Sequence, residues 1–133
     1  MEQLVMNQRN VYDFIHTHYD NRTFRQMINH YFCLKNISTS QLCGRAGIDR
    51  RLVSKFVSDE NYHPSKESCL AVCVGFGLNT EEARDLLRIC GYSFANNSSR
   101  DLAIAYALKI GVHHISDLNL LLRELGEKQF KEA

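Results

Sequence analysis

A chain of 133 residues is long enough to bury a core as one domain, and a net charge of +1 is too small for composition alone to name a partner. No apolar run approaches the roughly 18 residues needed to span a bilayer, and the opening residues lack the apolar stretch of a secretory signal, so no membrane partner is implied and the chain is expected to be cytoplasmic. One proline, and seven glycines placed mostly between periodic runs, point to an all-α design without β alternation. The five cysteines are odd in number, lack C-x-x-C spacing and fall on or beside apolar helix faces, the pattern of reduced, buried thiols.

In chain order, residues Asn7 to Tyr19 read as a helix carrying Val11, Phe14, Ile15 and His18 at helical spacing. Residues 1–22 are expected to pack on the core as an N-terminal helix. Thr23 and Gln26 form a capping box, and Phe24, Met27, Ile28, Tyr31 and Phe32 follow as a broad apolar stripe. Cys33 shares that helix with His30 at i, i+3 but, among Phe32 and Leu34, reads as inert packing rather than as a nucleophile beside a base. Ser38 and Gln41 make a second capping box, Leu42 and Ala46 an inward face, and Gly47 a stop before the fresh N-cap Asp49. The next helix puts Leu52, Val53, Phe56 and Val57 on its apolar side and Arg50, Arg51, Ser54 and Lys55 on a polar arc. This is the plan of a helix-turn-helix.

Asp59 to His63 is a polar loop before Pro64, and Ser65 opens a helix with Cys69, Leu70, Val72, Cys73 and Phe76 inside. Cys69, Cys73 and His63 read as core and loop residues rather than metal ligands. Asn79 and Glu82 start a helix carrying Ala83, Leu86, Leu87 and Cys90, Ser98 and Asp101 another with Leu102, Ala105 and Leu108, and Ser116 the last, with Leu118, Leu121, Leu122 and Leu125. The adjacent His113 and His114 read as an exposed loop or a helix-end contact. No H-E-x-x-H, phosphate-binding glycine loop or G-x-S-x-G occurs, so neither catalysis nor a cofactor is implied.

The stretch from Thr23 to about Leu87 resembles the lambda-repressor-like (xenobiotic-response-element, Cro-type) domains. Besides the two helices around Gly47, the likeness rests on Pro64-Ser65 opening the following helix, Cys73 as its small central residue, and Gly77-Leu78 closing it. Thr39 stands where many members carry glutamine, and Leu52 where a small polar residue usually faces the groove. The resemblance implies a bundle over 23–91, with residues 92–133 as a C-terminal extension of two helices. It further implies that Asn61, Tyr62, His63 and Lys66, in and after the polar loop, lie along a DNA backbone.

From Asp20 to Phe56 seven basic residues face two acids, which leaves nine basic residues against thirteen acids elsewhere, a basic front on an acidic body. The leading expectation is a sequence-specific regulator of double-stranded DNA. Arg50, Arg51, Ser54 and Lys55 would lie in the major groove, with Ser38, Thr39 and Asn61 on phosphates. The leucines of the last helix are expected to cover the core; used instead as a two-fold seam, the C-terminal helices would form a homodimer that places two such units on successive grooves. The alternative is a non-catalytic interaction module that anchors a protein partner at Leu52 and Val57, or, more remotely, an RNA binder, for which no exposed aromatic platform is apparent. Leu52 separates the first two: exposed beside Arg51 it would favour a protein partner or a thymine methyl, whereas packed inward it is core.

Overall fold

The computed structural model describes residues 8–132, and among them the chain is all-helical, with eight α-helices and no strand. They are α1 (Gln8–His18), α2 (Phe24–Leu34), α3 (Thr39–Ala46), α4 (Arg50–Ser58), α5 (Lys66–Gly75), α6 (Thr80–Ile89), α7 (Ser99–Lys109) and α8 (Ile115–Glu124). Short-range chemistry sets most starts. Thr23 with Gln26, Ser38 with Gln41 and Asn79 with Glu82 each form reciprocal capping boxes, which satisfy two backbone N–H groups that the helix itself leaves unpaired. His114 caps α8 by accepting from the Ser116 N–H, whereas His113 is exposed with its ring on the Gly111 carbonyl.

Helix α5 lies at the centre: every residue from Cys69 to Gly75 is buried, and it packs against α3, α6 and α8. The approach to α3 is close enough to require a residue without a side chain. A Cβ on Gly75 would lie 2.8 Å from a methyl of Leu42 and 2.9 Å from the Ala46 Cβ. One continuous core runs from Phe24 in α2 to Phe130 beyond α8, so the C-terminal helices share their interior with the preceding ones. Leu118 and Leu122 are buried in it and Leu121 is half-buried, which leaves only Leu125 of the four leucines read for the last helix exposed. The leucines of α8 therefore mainly close their own chain's core.

Two expectations are corrected. Helix α1 does not pack on the core, because none of its residues is buried and Val11, Phe14 and Ile15 all face outward. The core beside α2 is already closed by Phe24 edge-on to Phe56, and the link to α1 is held instead by charge. There Arg22 pairs with Asp20 at 2.6 Å and Asp85 at 2.8 Å, and its hydrogen bonds hold both carboxyls below the usual range. Cys33 is likewise exposed rather than packed, since the buried stripe of α2 is Phe24, Met27, Ile28 and Tyr31 and position 33 falls on the opposite side.

The thiols differ accordingly. Cys69, Cys73 and Cys90 are buried; hydrogen bonding to Cys73 pushes the Cys69 thiol well above its usual range, and hydrogen bonding to Cys69 does the same for Cys90. An aromatic disulfide reagent is expected to titrate Cys33 at once and Cys43 more slowly. The three buried thiols should react at least about 100-fold more slowly until denaturant is added, as exchange through opening requires.

At the start of α7, buried Asp101 accepts from the Ala95 N–H at 2.7 Å and from Lys66 Nζ at 2.6 Å. Burial alone would raise its pKa, but these two donors outweigh burial and hold it below the ordinary carboxylate value. A depressed folded-state pKa contributes stability above the unfolded value, and that stability is lost as pH falls below about 4. Asp101→Asn is expected to cost about 2 kcal/mol at pH 7 and to flatten part of the acid-side fall in Tm, measured by thermal melts from pH 7 to 2.

Candidate nucleic-acid interface

Helices α3 and α4 are joined by Gly47, whose φ of +66° is left-handed and whose N–H closes onto the Cys43 carbonyl at 3.0 Å. A side chain there would also strike the end of the chain, because a Cβ would lie 2.8 Å from the Lys131 carbonyl oxygen. Asp49 then caps α4 by accepting from the Arg51 N–H at 3.2 Å. The turn thus fixes how α4 leaves α3 through backbone conformation, a cap and a contact from the far terminus.

Helix α4 buries Val53 and Phe56 and exposes Arg50, Arg51, Ser54 and Lys55, so the four residues of the expected arc share the outward face. Arg50 is tied across to α3, where its Nη2 donates to Ser40 Oγ at 2.5 Å. One turn on from Ser40, a Cβ on Gly44 would meet nothing within 4 Å, so that part of α3 is open. Ser38 is exposed, but its hydroxyl oxygen already accepts from the Gln41 N–H, which leaves the hydroxyl proton for a ligand. Thr39 is half-buried beside it.

The basic front divides into paired and unpaired charges. Arg22 is neutralised by Asp20 and Asp85, Lys35 by Glu82 at 3.1 Å and Arg25 by Glu60 at 3.9 Å. Among the described residues Arg45, Arg50, Arg51 and Lys55 take part in no ion pair. Acids from later in the chain therefore neutralise the α2 side and leave the positive field on α3 and α4, a distinction the order of residues alone conceals.

The loop after α4 is only partly open. Tyr62 packs on Phe56 with ring centroids 5.6 Å apart, His63 Nε2 bonds the Cys90 carbonyl at 2.9 Å, and Lys66 is held by Asp101. Asn61 is exposed, its backbone N–H bonded to Asp59 Oδ1 at 3.0 Å. Of the four residues expected along a backbone, Asn61 alone keeps a side chain uncommitted to the protein.

Leu52 is half-buried against the core and forms one wall of a cleft of about 400 Å³ beside Ile48, Ala71 and Phe130. Val57 is half-buried in the same way. Neither stands out among the arginines, so the outward surface of α4 is polar and cationic without an apolar anchor. Among the described residues no cluster of three ligating side chains suits a metal, and no helix is long and apolar enough to cross a membrane. Comparison with protein-family models, curated proteins and solved structures gave no match.

Proposed function

We propose that the protein binds double-stranded DNA as a sequence-specific regulator, with α3 and α4 acting as a lambda-repressor-like helix-turn-helix. The observation that carries this reading is the outward arc of α4, where Arg50, Arg51, Ser54 and Lys55 are exposed and, among the described residues, none of the three cations is in an ion pair. A helix fits the major groove, and an arginine there offers two parallel N–H donors to guanine O6 and N7. Arg51 takes that role. Arg50, held by Ser40, is presented at a fixed angle and retains donors for a base edge or phosphate.

Ser54 and Lys55 lie one turn further along, where a hydroxyl and a flexible ammonium suit a base edge and a phosphate respectively. Ser38 and Thr39 bring hydroxyls and the first N–H groups of α3 to the backbone. Asn61 extends the track beyond α4.

Selection of random duplexes by the purified protein at physiological salt tests the reading. It should enrich a motif that disappears when Arg50 and Arg51 are both changed to alanine. A folded protein that enriches no motif would sink the proposal and favour a non-catalytic protein-binding role.

A further inference from the structure

We infer that the cleft between α6 and α7 is a binding site for a small carboxylic acid with an aromatic body. The inference does not rest on the DNA reading. The cleft has a volume of about 390 Å³, at the lower end for ligand pockets, and its apolar surface comes from Tyr92, Phe94, Leu102 and Ala105. Arg84 and Arg88, one turn apart on α6, supply its charge, and Ser93 and Asn96 its remaining polar groups. Among the described residues no acid lines it.

The walls are built without help from a ligand. The loop between α6 and α7 is fixed at three points: the Tyr92 N–H donates to the Leu87 carbonyl at 2.8 Å, the Tyr92 hydroxyl to the Pro64 carbonyl at 2.8 Å, and the Ala95 N–H to Asp101 at 2.7 Å. Tyr92 and Phe94 pack against the core and stay half-buried. Two rings held in this way offer an aryl group stacking and edge contacts at little ordering cost to the protein. Leu102 is 48% exposed, which is apolar area that the body of a ligand would cover.

The two guanidinium groups differ. Arg88 is engaged by Asp85 at 2.6 Å and by Asp20 at 3.5 Å, whereas Arg84, among the described residues, has no ion-pair partner. Even Glu81, three residues earlier on the same helix, does not pair with it. A planar guanidinium with its donors free matches a carboxylate through two parallel N–H···O bonds. One unneutralised guanidinium balances one negative charge, which suits a carboxylate better than a phosphate.

Titration of the isotope-labelled full chain with hydrocinnamate at neutral pH, without DNA, tests the assignment through amide chemical shifts. Saturable shifts should appear within residues 84–105 and give a dissociation constant below about 1 mM, as for a ligand of about a dozen heavy atoms. The uncharged hydrocinnamyl alcohol should bind at least about tenfold more weakly, because it cannot form the charge-assisted pair. Arg84→Gln, at an exposed position, should weaken binding of the acid at least about tenfold and leave the alcohol unchanged. Arg123→Gln on α8 removes an exposed arginine that does not line the cleft and should change neither. No saturable shift up to about 10 mM, equal binding of acid and alcohol, or equal loss from Arg84→Gln and Arg123→Gln would overturn the inference.

Discussion

With Arg50 and Arg51 both changed to alanine, affinity for the selected duplex is expected to fall by about 100-fold or more, because each bidentate arginine contact contributes about 1–3 kcal/mol. Arg51→Ala alone should account for roughly a tenfold loss and relax preference at one base position. Lys55→Ala should weaken all duplexes alike and reduce the slope of log affinity against log salt by about 1, the signature of a lost phosphate contact. Lys35→Ala should change binding less than about twofold, since Glu82 already neutralises that ammonium and exposed pairs contribute little. Fluorescence anisotropy across a salt series separates these outcomes. Equal losses from Arg51→Ala and Lys35→Ala would indicate diffuse attraction to DNA in place of recognition by α4.

That contrast between Arg51 and Lys35 also marks where sequence reading stops. Features generated within a few residues were legible: the capping boxes at Thr23, Ser38 and Asn79, the stop at Gly47, and the division of α4 into an apolar side with Val53 and Phe56 and a cationic side with Arg50, Arg51, Ser54 and Lys55. Local hydrogen bonds and the 3.6-residue period determine these, and both are written in the order of residues. The pairings of Arg22 with Asp85 and of Lys35 with Glu82 each span more than forty positions and no local pattern carries them, whereas the pairing of Arg22 with Asp20 is two residues apart. The stripe of α1 has the period of a core face, but periodicity records amphipathicity and not burial, and none of its residues is buried. Apolar neighbours in sequence suggest packing for Cys33, but its angular position on α2 puts it outside the buried stripe. Residues 126–132, lacking any period, gave no hint of their role.

Those last residues set the second large effect. Phe130 is buried, Asn119 both donates to its carbonyl at 2.9 Å and accepts from its N–H at 2.8 Å, and the Arg100 guanidinium lies 4.5 Å from the ring centre. Arg100 also donates to the Lys128 carbonyl at 2.7 Å and is held by both oxygens of Glu67. The tail so anchored reaches the Gly47 turn through the Lys131 carbonyl, which links the chain end to the angle between α3 and α4. Phe130→Ala is expected to cost about 3 kcal/mol in urea denaturation, as for a buried phenylalanine removed from a core. Asn119→Ala should cost about 2 kcal/mol, since it strands a buried N–H and carbonyl of Phe130. Because both changes release the same segment, the double variant should lose little more than Phe130→Ala alone. Full additivity would mean that the two side chains stabilise separate parts of the fold. In that case neither variant should alter duplex binding beyond its effect on the folded fraction, whereas release of the tail as a unit should weaken binding by loosening the turn that sets α4.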